Sequence, residues 1–177
     1  ARWELAMLDV KLQRMTQLLK ELGSVLVAYS GGIDSTLVMK IAHDALGPRA
    51  IAVTAVSPTF PEIELEVARR VAAQVGARHL IVDTNQLASP DFVRNEADRC
   101  YHCKTDLYRG LAQLQCEFKI GAMVDGTNLD DLGDDRPGMT AAKEWGVRSP
   151  LVEAALSKEE VRTLAKALGL SNWDKPA

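Results

Sequence analysis

Apolar side chains recur at Leu5, Leu8, Leu12, Met15, Leu19 and Leu22 near the start of the chain. Steps of three and four place them on one helical face, so the spacing predicts an amphipathic helix over 4–22, stopped by Gly23. The next six residues, Ser24-Val25-Leu26-Val27-Ala28-Tyr29, are short, apolar and β-branched at alternate positions. That is the pattern of a buried strand. A glycine turn and a helix over 34–46 follow, ending at Gly47-Pro48. The alternation then repeats: a strand over 50–56, a helix over 61–75 with proline in its first turn, and a strand over 78–82. Residues 84–99 are polar and read as a loop over the site. A helix over 101–115, a fourth strand over 122–125 and helices over 140–145 and 157–168 complete the pattern. Ser157 and Glu160 are spaced as a capping box for the last helix. Strands alternating with helices of this length predict βαβ units, a parallel sheet and right-handed crossovers.

Composition narrows the classes. At 177 residues the chain fits one domain with a substantial core. A net charge of −3 with no basic run argues against RNA or DNA as the main partner. No stretch approaches the roughly 18 apolar residues of a membrane helix. The N-terminus lacks the basic-then-apolar order of a signal peptide. Three cysteines suggest no secreted disulfide framework, and a reducing cytoplasm is the expected compartment.

Chemistry concentrates between the first strand and its helix, in Ser30-Gly31-Gly32-Ile33-Asp34-Ser35. In an open parallel sheet, ligands bind beyond the C-terminal ends of the strands, where this loop falls. Gly31 and Gly32 let the backbone turn tightly and approach a ligand. The free N–H groups of the following helix favour an anion, and Ser30 and Ser35 add hydroxyl donors. Asp34 suits a helix cap, a group that orients loop N–H groups, or a support for Mg²⁺. The lysine of a Walker loop is missing, which argues against a P-loop kinase or GTPase. A second polar segment, Gly126-Thr127-Asn128-Leu129-Asp130-Asp131, begins where the fourth strand is expected to end. Its glycine can pass close to a nucleotide and its carboxylates can hold Mg²⁺, although the same residues also suit a solvated turn.

The loop string resembles that of the PP-loop ATP pyrophosphatase superfamily, which includes the amination domain of GMP synthetase, NAD synthetase and tRNA thiolases. The resemblance implies a Rossmann-like, adenine nucleotide alpha hydrolase-like fold, an α/β parallel sheet with helices on both faces. It implies adenylation of a substrate oxygen with release of pyrophosphate. ATP and Mg²⁺ would then be bound through Ala28, Ser30, Gly31, Gly32, Asp34, Ser35, Gly126 and Thr127, with adenine beside Val56 and Ser57. Asp34 and Asp131 would take catalytic parts. Later strings narrow the resemblance. Arg99-Cys100-Tyr101-His102-Cys103-Lys104, Asp125-Gly126-Thr127-Asn128, Asp134-Asp135-Arg136-Pro137-Gly138, Ser149-Pro150-Leu151 and Trp173-Asp174-Lys175-Pro176-Ala177 together resemble the LarE family of ATP-dependent sacrificial sulfur transferases. That family makes the nickel-pincer nucleotide cofactor. It adenylates a carboxylate of a pyridinium dicarboxylate mononucleotide, and sulfur attack leaves a thiocarboxylate.

In one branch of that family the sulfur comes from a cysteine of the enzyme, and in another through an iron–sulfur cluster. Full-length members continue beyond the Trp-Asp-Lys-Pro-Ala string into a segment carrying the donor or cluster cysteine. This chain stops at Ala177, so we expect a PP-loop domain over 1–170, a linker starting at 171, and an activating half without the third cysteine. Cys100 and Cys103 are three apart near a helix start, and read either as iron–sulfur ligands or as reduced structural thiols. Cys116 reads as a small core residue. His43, His79 and His102 form no ligand-spaced group and read as surface or packed side chains. Two rival functions stay open: another PP-loop enzyme, either an amidotransferase-type synthetase or a tRNA thiolase, and a non-catalytic nucleotide-binding domain. A homo-oligomer is also left open.

Overall fold

The structure, a computed structural model, describes residues 2–83, 108–133 and 142–175. The expected loop over 84–99, the helix start at 101, the Cys100/Cys103 pair and the Asp134–Gly138 string lie outside the described residues. The elements are α1 (Arg2–Leu22), β1 (Val25–Ala28), α2 (Ile33–Leu46), a 3₁₀ turn (Gly47–Arg49), β2 (Ala50–Val56), α3 (Glu62–Val75) and β3 (Arg78–Asp83). The described part of α4 (108–118) follows, then β4 (Ala122–Val124), a second 3₁₀ turn (Leu129–Gly133), the described part of α5 (142–144), α6 (Pro150–Glu153) and α7 (Lys158–Ala167). The short helix α6 has no counterpart in the sequence reading. Four residues are too few to show a helical period, and proline at its first position was the available signal.

The described strands form one parallel sheet in the order β3-β2-β1-β4. Chain order runs outward from β1 to β3 and then returns to β1's other side, so β1 and β4 flank the point where the order reverses. Pairing is in register from Val25↔Ala50 to Ala28↔Val53 on one side of β1, and from Val25↔Ala122 to Val27↔Val124 on the other. The two-residue period of a strand divides the core. Val25 and Val27 point into a cluster with Met15 and Leu19 of α1, Leu37 and Val38 of α2, Val71 of α3 and Leu164 of α7. Leu26 points the other way, with Ile51, Val53 and Met123, onto Tyr108 and Leu111 of α4. Helices therefore cover both faces, and the near-continuous apolar strands are explained by burial on two sides.

Two expectations are corrected. Leu5 lies on the predicted apolar stripe of α1 but is exposed, whereas Met15 and Leu19 are fully buried. The first turns of α1 border an open groove with Glu159, Glu160 and Thr163 of α7 and do not pack tightly there, so Leu5 stays in contact with solvent. Cys116 is exposed and not in the core. At about 100° per residue, α4 turns position 116 away from the buried Tyr108–Leu111 stripe.

Residues beyond 170 pack on this domain. Trp173 lies against the main cluster with the Lys166 ammonium 4.8 Å from its ring centre, and Lys175 pairs with Glu64 of α3 at 2.8 Å. Contacts therefore run across the linker boundary expected at 171. At the front of α7 the capping box forms as expected: Glu160 N–H donates to Ser157 Oγ at 3.2 Å, and Ser157 N–H to Glu160 Oε1 at 3.1 Å. The same carboxylate takes Lys11 of α1 at 2.8 Å, tying the N-terminal helix to α7. Burial pushes the Glu160 carboxyl up, but the Lys11 and Ser157 donors outweigh it and hold it below its ordinary range.

Leu19 joins α1 to α2 and the sheet, so truncating it leaves a cavity that the surrounding helices close only in part. Leu19→Ala should cost about 2–5 kcal/mol of unfolding free energy in denaturant titration, with the m-value unchanged.

Candidate nucleotide site

The site is built where β1 ends. Tyr29 follows β1, its N–H still on Val53 O at 3.0 Å and its hydroxyl donating to Ala68 O of α3 at 2.8 Å. Burial pushes the Tyr29 phenol up to about 12, which keeps it a donor at neutral pH. Its ring meets His79 edge-on at 5.3 Å. His79 Nε2 lies 2.7 Å from Thr54 Oγ1, whose own hydrogen goes to Tyr29 O at 2.8 Å. The imidazole must therefore donate from Nε2. Burial and the nearby Arg69 lower its pKa, as befits a packed neutral side chain. These bonds fix the start of the loop in place.

The chain then turns at Gly31 with φ of 89°, a conformation that L side chains rarely adopt. A Cβ there would also meet Ala68 Cβ at 3.1 Å. Gly32 is the N-cap of α2, where no side chain caps the helix, and its added Cβ would meet only Ser30 Oγ, at 3.5 Å. Ser30 and Ser35 close the loop from inside. Ser35 Oγ accepts Ser30 N–H at 3.2 Å, and the two hydroxyls lie 3.4 Å apart. The turn thus presents a helix N-terminus with two hydroxyls beside it, the combination that favours an anion.

Asp34, in the first turn of α2, is no cap. Its Oδ1 accepts Asn128 Nδ2 at 3.1 Å, and its Oδ2 accepts the Lys158 ammonium at 2.6 Å. Lys158 opens α7, and its own N–H donates to Asp130 Oδ2 at 2.9 Å. Asn128 is held by Asp130 and Asp131, whose N–H groups reach its Oδ1 at 2.8 and 3.3 Å. Asp131 Oδ2 accepts Asn128 N–H at 3.0 Å. The aspartate-rich segment is therefore an ordered turn whose polar groups support Asp34. Upstream of it, Asp125 takes Thr127 N–H and Oγ1 at 3.1 Å each, and Ser149 Oγ at 2.7 Å.

Gly126 explains how the two segments meet. A Cβ at this position would lie 2.7 Å from Ser35 N and 3.1 Å from Asp34 C, so the end of β4 passes against the start of α2 with no room for a side chain. Val56 and Ser57 stand at the same end of the sheet. The ladder from β2 to β1 stops at Ala28↔Val53, whereas the ladder to β3 continues to Val56↔Asp83. The last residues of β2 therefore run on past β1 on the side facing the loop. Ser30, Gly31, Gly32, Asp34, Ser35, Gly126, Thr127 and Asp131 are brought into one locality, with Ala28, Val56 and Ser57 along its sheet edge. Lys158 and Asn172 also join this locality, and the sequence reading named neither. A lone lysine on an amphipathic helix carries no signal, although its place directly behind the Ser157 cap pointed to a helix N-terminus.

The residues fit a nucleotide with Mg²⁺. Glycines leave the backbone bare where phosphates would approach, and a carboxylate and an ammonium stand beside them. Among the described residues no group of three His, Cys, Asp or Glu converges on a metal position. Mg²⁺ held largely through phosphate oxygens and water needs only one or two carboxylates.

A diglycine loop at the reversal point of a parallel sheet defines a PP-loop α/β protein of the ATP-using kind. A family model described as asparagine synthase matches residues 12–104, more than half of the chain, and the chain belongs to that family. It is 39% identical over 174 residues to the pyridinium-3,5-bisthiocarboxylic acid mononucleotide synthase of Lactiplantibacillus plantarum, covering 98% of this chain and 63% of that protein. It is 49% identical over 171 residues to an uncharacterized protein of Synechocystis, covering 97% of this chain and 64% of the relative. The chain thus spans a little under two thirds of each. Among solved structures, the NH₃-dependent NAD synthetase of Campylobacter jejuni superposes with a TM-score of 0.76 over 95% of this chain and 77% of its own. At 20% identity that likeness speaks for the fold alone. Among the described residues no helix is long and apolar enough to cross a membrane.

Gly126→Ala should destabilise the fold by about 1–3 kcal/mol, because the clash is with backbone atoms that cannot rotate away. Nucleotide affinity should fall as well, since α2 must shift; calorimetric unfolding and ATP titration on the same preparation would read both effects.

Proposed function

We propose that this chain is the ATP-activating domain of a sulfur transferase acting on a pyridinium dicarboxylate mononucleotide. The domain binds ATP, adenylates a substrate carboxylate with release of pyrophosphate, and presents the acyl adenylate to sulfur, which displaces AMP and leaves a thiocarboxylate. One observation carries the reading. The diglycine turn, the Asp34–Lys158 pair and the Gly126–Asp131 turn meet at one end of the sheet, in a chain 39% identical across 98% of its length to a synthase of that class.

The geometry supports the following roles. The α2 N-terminus and the hydroxyls of Ser30 and Ser35 hold the β- and γ-phosphates, which depart together as pyrophosphate. Substrate carboxylate attacks the α-phosphorus from the side opposite that leaving group. Bound Mg²⁺ would neutralise the charge that develops on the phosphate oxygens. Asp34 is the carboxylate placed to hold it, and Asp131 orients Asn128, which in turn orients Asp34. Lys158 supplies the cation that the loop itself lacks. Its ammonium sits on Asp34 Oδ2 and can turn to a phosphate oxygen when Asp34 takes a metal. The main chain at Val56 and Ser57 borders the adenine, and Thr127 borders the nucleotide from the turn after β4. Cys100 and Cys103 are the thiols this reading assigns to the sulfur route if a cluster relays it.

Pyrophosphate release measured with the pyridinium dicarboxylate mononucleotide as acceptor tests the reading. Release with ammonia-accepting or tRNA substrates, and none with the pyridinium acceptor, would move the chain to another PP-loop activity. Asp34→Asn keeps the side-chain shape but removes the charge, and should slow adenylate formation on the order of 10²-fold with the fold intact. Gly32→Val puts a branched side chain at the mouth of the turn and should abolish ATP binding; an unaltered titration curve would remove the phosphates from this loop.

A further inference from the structure

Asn172 lies about 140 residues beyond the loop in sequence and directly beneath it in space. It is buried, 7% exposed. Its Nδ2 donates to Gly31 O at 2.9 Å and to Thr36 Oγ1 at 3.0 Å. Thr36 is fully buried and gives its own hydroxyl hydrogen to Gly32 O at 2.6 Å. The carbonyls of both loop glycines are thus held on the inner side, that of Gly31 by Asn172 directly and that of Gly32 by Thr36, through its N–H at 3.0 Å and the hydroxyl that Asn172 holds.

A trans peptide points its C=O and the next N–H in opposite directions. Turning the Gly31 and Gly32 carbonyls inward therefore turns the N–H groups of Gly32 and Ile33 outward, towards the mouth of the turn. Among the described residues the Gly32 N–H finds only a long 3.4 Å contact to Ser30 Oγ on that exposed side. Glycine peptides rotate easily, and Gly31 sits at a φ of 89° that no side chain stabilises. Without an inner donor, the Gly31–Gly32 peptide is the bond most free to flip and aim its oxygen at an incoming anion.

We infer that Asn172 is a positioning residue for the phosphate loop, holding the diglycine peptides with their N–H groups aimed at the bound phosphates. The inference rests on reading the loop as the phosphate cradle. Asn172 Oδ1 has no partner among the described residues, so a buried acceptor goes uncompensated by them while both donor hydrogens serve the loop. The segment that carries Asn172 docks without its amide. Arg162 donates to Trp173 O at 2.9 Å, Ser171 Oγ to Gln74 Oε1 at 2.8 Å, and Lys175 pairs with Glu64. The strap thus bridges α7 and α3 on its own contacts and offers one amide upward to the loop.

Asn172→Asp tests this with almost no change of shape. Gly31 O can only accept, so an ionised carboxylate puts oxygen against oxygen there, and it can be met at Thr36 only by drawing the hydroxyl hydrogen away from Gly32 O. ATP and inorganic pyrophosphate should bind at least tenfold more weakly by calorimetric titration, whereas affinity for adenosine, which has no phosphate, stays unchanged. Ser171→Ala loosens the strap elsewhere and should leave all three affinities as they are. Asn172→Ala carries the same expectation if the aspartate variant does not fold. ATP, pyrophosphate and adenosine weakening together, in step with a lowered Tm, would reduce Asn172 to a structural residue and overturn the inference. So would unchanged pyrophosphate affinity in both variants. Native protein that binds neither ATP nor pyrophosphate would instead overturn the reading of the loop itself.

Discussion

Everything at the site depends on the peptide corner between β1 and α2. A buried parallel strand must deliver its chain into a helix within a few residues, and here it does so through a left-handed glycine pressed against Ala68 of α3. The close approach leaves room for no side chain, and α2 starts without a side-chain cap. A helix N-terminus with orphan N–H groups is destabilising unless something satisfies them. That unmet demand at the reversal point of the sheet is what turns a connection into an anion site. Tyr29 and His79 hold the corner from the strand side, α3 from beneath, and Asn172 from within.

Charge around this corner is arranged so that the Asp34 carboxylate is compensated. Asp34 would repel phosphate if it faced the turn alone. In this structure its two oxygens are occupied, one by Asn128 and one by Lys158. Both side chains of the ion pair are partly exposed, so the pair contributes little to stability and can exchange partners readily. The Asn128–Asp131 turn acts as a rigid support for that exchange, because every polar group of Asn128 is committed to a neighbour. Preorganisation of this kind lets donors act on developing charge without reorganising during the reaction.

Much of the fold was legible in the residues. The 3.6- and two-residue periods marked α1 to α3, β1 to β4 and α7 to within a few positions, because each element buries an apolar stripe or both faces of a strand. The capping box of α7 and the diglycine string are local devices, written in consecutive residues. Periodicity could not say how closely each turn of a stripe packs, and Leu5, on an open groove beside α7, is left in solvent. It could not mark α6, whose four residues are shorter than the period itself. For Cys116, the described part of the helix, 108–118, runs past the end expected at 115, and its buried face was not read correctly.

The residues themselves determined the alternating α/β order, the parallel sheet and the glycine loop at its C-terminal edge, since these follow from local propensity and from which side chains avoid water. Only the tertiary structure decided which distant groups close the site. Gly126 has to be glycine because β4 passes within contact of the α2 backbone. Lys158 matters because α7 ends its approach at Asp34, and Asn172 because the strap crosses under Gly31. None of these contacts leaves a trace in neighbouring residues, for an approach between groups roughly 90 or more positions apart is set by how the sheet and helices stack.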